Sequence, residues 1–193
     1  MRKMTQGSIA RHLIAYALPL ILGNLFQQLY NIVDSLVVGN FLGSDALAAV
    51  GSSGHIIFLL VGLFSGLFTG ASVVISGYFG AQEHQKMHTA IHTTVAFGLL
   101  AGVVLSVVGV AVSPTLLRWI GTPESVFANS ALYFRIYFSG VVFVTLYNTA
   151  TGILQAVGDS KHPLYYLIIS SVTNVVLDLL FVAVFHMGVD GAA

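Results

Sequence analysis

Residues 89–113 read TAIHTTVAFGLLAGVVLSVVGVAVS, a run without one Lys, Arg, Asp or Glu. A helix of about 20 such residues, rising 1.5 Å per residue, crosses the hydrocarbon layer of a bilayer, so this run is a transmembrane helix candidate. Working outward, comparable runs occupy about 13–38, 47–77, 127–156 and 163–186, which makes five spans. The breaks at 39–45, 79–88, 113–124 and 158–163 collect the turn formers and most of the charge. Each break is short, so successive helices are expected to be antiparallel neighbours. The expected fold is an all-α integral membrane bundle of five transmembrane helices, with residues 1–193 forming a single membrane domain.

Composition agrees. Charged residues make up 7% of the chain, against about 25% in a soluble domain. The formal net charge is zero, and Lys and Arg never cluster beyond Arg2-Lys3, so no basic patch exists to hold nucleic acid. The absence of Cys removes disulfides, thiol nucleophiles and thiolate metal sites. No GxxxxGK[ST] motif is present, so ATP hydrolysis is not indicated.

Positive charge is retained on the cytoplasmic side of a membrane. Arg2, Lys3, Arg11, Lys86 and Lys161 fall on one side, with only Arg118 in a loop on the other, which places the N-terminus inside. The first run is too long, and too polar in its second half, for a cleaved signal peptide. Small residues begin again at 187–193, as if a sixth helix were starting, and the chain reads as a truncated piece.

Polar groups in hydrocarbon are costly unless partnered, so their placement is informative. Asn24, Gln27, Gln28, Asn31 and Asp34 form one helical stripe about 120° wide. The stripe must face protein or water, and for Asn24 and Gln28 interhelical hydrogen bonding is an equal reading. Asp34 differs, because an ionisable carboxyl in a span is a functional candidate. The fifth span carries Asn174 and Asp178 at i, i+4, stacking amide and carboxyl on one face. Counted from Arg11 and Lys161, Asp34 lies about 34 Å and Asp178 about 25 Å along its helix, both in the outer half. Two carboxyls and an amide oxygen suit Na⁺; two interacting carboxyls suit a shared proton equally well.

In the second span, Gly62, Gly66 and Gly70 form a doubled GxxxG, read as a helix-packing face, and Gly98, Gly102, Ser106 and Gly109 repeat the theme in the third. In the fourth, Asn148, Thr151, Gly152 and Gln155 share a face; with Gln27 and Asn31, Asn148 and Gln155 are candidates to line a cavity. Arg135 lies nearer the outer end, where snorkelling and pairing with a carboxylate are both open. His84, His88 and His92 have the i, i+4, i+8 spacing that can place imidazoles together for a metal, but His84 and His88 sit where a loop becomes a helix, a wet place for polar residues, and metal binding is not expected. Residues 51–54 (GSSG), with His186 on the same side, match the pattern around an intramembrane serine nucleophile, a short motif that arises easily in a Gly- and Ser-rich chain.

The stretch from Pro19 to Gly39, PLILGNLFQQLYNIVDSLVVG, resembles the first helix of a bacterial multidrug and toxic compound extrusion (MATE) transporter. The resemblance continues through LGSDALAAVG at 42–51, GYFGA at 77–81, QAVGDSKHP at 155–163, NVVLD at 174–178 and GVDGAA at 188–193, and covers essentially the whole chain. It implies two six-helix lobes around a cavity, of which this chain supplies the first lobe less its sixth helix. It further implies that Asp34, Asn174 and Asp178 form a cation-coupling site, often joined by a sixth-helix hydroxyl. The implied function is export of organic cations or amphipathic drugs in exchange for Na⁺ or H⁺, across the bacterial cytoplasmic membrane. No catalysis is implied, nor any cofactor beyond Na⁺ as a coupling ion; the partners are the lipid bilayer, the cargo and a second lobe. A lipid-linked saccharide flippase would need basic residues to hold a pyrophosphate, and only Arg135 qualifies. A non-transporting membrane scaffold and an intramembrane hydrolase are the rivals from other classes.

Overall fold

The computed structural model describes residues 8–191. Five α-helices follow one another: α1 (Ile9–Val37), α2 (Ser44–Gly80), α3 (His84–Trp119), α4 (Glu124–Ala156) and α5 (Lys161–Asp178). All five are long and apolar enough to cross a membrane. Two of them change winding at one end of the bundle: α1 continues as a π-helical turn at Val38–Leu42, and α5 as another at Leu179–Val184.

α2, α3 and α4 outrun the apolar runs that announce them, because polar residues at the water boundary remain helical, whereas the fifth helix with its π turn ends at Val184, short of the expected 186. The expected break at 113–124 shrinks to 120–123. Pro114 removes one backbone donor inside α3. Ser113 Oγ bonds the Gly109 carbonyl, and Ser113 and Leu117 are fully buried, so packing carries the helix through. Arg118 is therefore in the last turn of α3, over the Phe127 ring, rather than in a loop. Gly121 and Gly158 take φ of 71° and 85°, backbone that a side chain would strain, and reverse the chain after α3 and α4.

Packing divides the bundle in two. α3 lies along α4 in its most extensive contact, and α2 packs on α4. Leu117, Phe134, Phe138 and Val141 form the buried core. The glycines of α3 permit this closeness: a Cβ at Gly98, Gly102 or Gly109 would come within 2.4, 2.2 or 2.0 Å of Thr149, Thr145 or Phe138. α1 pairs instead with α5, Gly23 lying under Leu167, while α4 and α5 scarcely touch.

The doubled GxxxG of α2 behaves differently from expectation. A Cβ at Gly62, Gly66 or Gly70 would meet nothing within 4 Å among the described residues. α2 packs inward through Phe68 and Ile75, which lie on its other side, so its small-residue face stays open.

Candidate functional site

A cleft of about 740 Å³ separates the α1–α5 pair from α2 and α4. Pro19, Gly23, Asn24, Gln27 and Tyr30 line it from α1, and Ser65, Thr69 and Ser72 from α2. α4 contributes Tyr137, Asn148, Thr151 and Gln155, and α5 contributes Ser171 and Asn174. Among the described residues no Lys or Arg lines it. At one end Tyr16 Oη donates to the Gln155 carbonyl at 3.1 Å, tying α1 to α4. Nearby, Asp159 Oδ1 accepts from the backbone N–H groups of Lys161 and His162, both at 3.2 Å, and its Oδ2 meets the His162 ring. Desolvation works against the Asp159 carboxylate, but these bonds outweigh it and hold its pKa below the usual carboxylate value. This cap fixes the start of α5.

The opposite end of the cleft leads to the acids. Asp178 is 4% exposed and Asp34 half-buried, and Asp178 lies within the field of the Asp34 carboxylate. Tyr30 and Tyr133 lie within the field of both carboxylates, and Tyr137 near Tyr30. Asp34 and Asp178, from helices far apart in the chain, thus lie in one neighbourhood with Tyr30 and Tyr133. Among the described residues Ser171 Oγ, Asn174 Oδ1 and Asp178 Oδ2 are buried without a hydrogen-bond partner. All three fall on one face of α5, and buried oxygens left unpaired in this way are rare and costly. Both acids also border a change of winding: Asp34 precedes the first π turn by four residues, and Asp178 immediately precedes the second. Such turns recur at functional sites.

Of the other expected residues, Gln27, Asn148 and Gln155 do line the cleft. Asn148 Nδ2 also donates to the Val144 carbonyl. Asn31 does not line it; it is exposed and donates to Gln28 Oε1 at 3.3 Å. The cleft takes the face carrying Gly23, Gln27 and Tyr30, and the polar stripe is wider than that face. Arg135 is exposed and makes no ion pair among the described residues. No three His, Cys, Asp or Glu side chains come together there either, so His84, His88 and His92 do not converge. The side chains of Ser52 and Ser53, and residues Arg2 and Lys3, lie outside the described residues.

Four residues escaped the sequence reading. Tyr30 stands one turn before Asp34, and Ser171 one turn before Asn174, so helical spacing alone marks them. Tyr133 and Tyr137 reach the site from α4, which only the helix arrangement reveals.

Residues 19–180 match the MatE family. The chain belongs to that family. It is 37% identical to the "Probable multidrug resistance protein YoeA" of Bacillus subtilis (strain 168), an alignment covering 100% of this chain and 42% of that protein. Its fold superposes with a TM-score of 0.89 on the crystal structure of MATE in complex with MaD3S, at 26% identity, over 96% of this chain and 42% of that one. A MOP superfamily transporter from Pyrococcus furiosus, whose binding pocket has reversed polarity, gives a TM-score of 0.90 at 26% identity, over 96% of this chain and 41% of that one. The chain therefore spans about two fifths of the length of these MatE relatives. It is a multi-pass membrane protein with the architecture of a MatE N-terminal lobe.

Proposed function

We propose that this chain is the cation-coupling lobe of a secondary efflux transporter, exporting organic cations or amphipathic drugs in exchange for Na⁺ or H⁺. In this reading residues 1–193 form most of one lobe in the bacterial cytoplasmic membrane, N-terminus inside. A second lobe covers the open glycine face of α2. The observation that carries the proposal is the approach of Asp34 and Asp178 beyond the end of a polar cleft, beside oxygens that lack hydrogen-bond partners among the described residues. A cation there would find two carboxylates and the Asn174 carbonyl, all hard oxygen donors, and a proton would find the same carboxylates. Binding cancels charge that the membrane interior resists, and so favours whichever helix arrangement encloses the site. The gradient supplies about 2.3 kcal/mol per charge per 100 mV, plus its concentration part. A cleft lined without cations suits cationic cargo better than an anionic headgroup, and the reading assigns no catalytic residue.

The test uses vesicles containing the protein in which this chain forms the first lobe, with an imposed Na⁺ or H⁺ gradient. The Asp34→Asn, Asp178→Asn double variant keeps shape but loses the switchable charge, and is expected to abolish uphill export. Asn174→Ala, which removes a ligand and no charge, is expected to weaken it less. Undiminished uphill export by the double variant contradicts the site. Loss under only one gradient names the ion.

A further inference from the structure

The surroundings of the two carboxylates differ in character on their two sides, and the difference bears on how an ion reaches them. On the cleft side lies a ladder of buried oxygens. Ser171, 9% exposed, and Asn174 belong to the cleft wall, while Asp178 follows one turn further along. The three sit at i, i+3 and i+7, one face of α5 spanning about 10 Å, and each presents an oxygen with no hydrogen-bond partner among the described residues. Tyr30 and Tyr137 carry the polar wall across to α1 and α4.

Beyond the acids the surroundings turn dry. The two π turns touch each other there. Val38, Ala46 and Val189 are 0, 4 and 6% exposed and form a buried apolar cluster, with Leu42, Val50 and Tyr133 packed against it. Val38 comes from the first π turn, Ala46 from the start of α2, and Val189 from the segment after the second π turn. Tyr133 belongs to both neighbourhoods: its ring packs on the apolar cluster and it lies in the field of the two carboxylates. An ion stripped of water pays heavily to cross an apolar layer, whereas oxygens spaced along one helix replace its hydration in steps.

We propose that the coupling ion reaches Asp34 and Asp178 only from the cleft, handed along by Ser171 and Asn174, and that the Val38–Ala46–Val189 cluster is the barrier closing the other end. Ser171 is then a positioning residue for the ion, and Val38 and Val189 determine the side from which the pair is reached. The inference rests on the coupling reading above, but access can be measured without transport, so either can fail while the other stands.

Because the chain has no Cys, Asp178→Cys gives one reporter thiol in the membrane-embedded protein, labelled by a small cationic methanethiosulfonate. Gln27→Trp narrows the cleft from an exposed position and is expected to slow labelling about tenfold or more. Adding Val38→Ala and Val189→Ala to the narrowed protein opens the second route and should restore the rate; Val189→Ala alone is the milder form should the double replacement unfold. Labelling of the narrowed protein at the parent rate overturns the proposal. So does a blocked rate that opening the cluster leaves unchanged, or a parent thiol that stays unlabelled while an Asn148→Cys control reacts.

Discussion

The lobe has a closed side and an open side built from the same kinds of residue. α3 and α2 both carry glycines at helix-packing spacing. Those of α3 are used within the lobe, under Thr149, Thr145 and Phe138, while those of α2 meet no neighbour among the described residues. Polar side chains divide likewise: Thr145 and Thr149 satisfy themselves on carbonyls of α4, whereas Ser171 and Asn174 in the cleft wall, and Asp178 one turn beyond, hold oxygens unpartnered among the described residues. Small and polar residues in a span thus mark a place where something must fit, and only the assembled helices tell whether the lobe itself supplies it.

The sharpest way to break this contrast is a side chain in the closed seam. Gly109→Leu drives carbon into Phe138 and is expected to cost about 3 kcal/mol, read as a large fall in the thermal midpoint in detergent. On the open side, Ser171→Ala removes a buried hydroxyl with no partner and should raise stability by about 1 kcal/mol in the same measurement. A fall would show that the hydroxyl is already paired within the lobe. Asp159→Ala tests how α5 is held where α4 fails to hold it, and is expected to cost about 1 kcal/mol. The pKa of Asp159 is lowered in the fold, so its contribution is complete above the ordinary carboxylate value of about 3.9 and is lost as pH falls through the folded value. Stability of the Asp159→Ala variant and the parent should therefore converge on acidification. The smallest effect belongs to Gly66→Ala, expected within about 0.5 kcal/mol for the isolated chain. A loss as large as that at Gly109 would mean the α2 face is covered after all.

Much of this was readable in advance, for identifiable reasons. Five helices follow from apolar length, because a bilayer sets a minimum span. Asp34, Asn174 and Asp178 stand out because charge in hydrocarbon is expensive and helical spacing stacks an amide on a carboxyl. The break before Glu124 is shorter than the sequence suggests, because the buried Ser113 and Leu117 carry α3 past Pro114. Asn31 falls outside the cleft; periodicity gives the direction of a stripe but not the width of the cleft it meets. The open and closed glycine faces look alike in one dimension; only Phe68 and Ile75 packing inward from α2 separate them. Tyr133 and Tyr137 carry no local signal, since their role depends on α4 facing α1 and α5 across the cleft.

The central claim is that Asp34 and Asp178 act as one ion site. A double-mutant cycle on ion-induced thermal stabilisation tests it directly, comparing Asp34→Asn, Asp178→Asn, the double variant and the parent across Na⁺ concentration and pH. Coupled groups titrate and bind as a pair, so the double variant is predicted to lose no more ion-induced stabilisation than the worse single variant. Losses that simply add would show two independent sites and contradict the account.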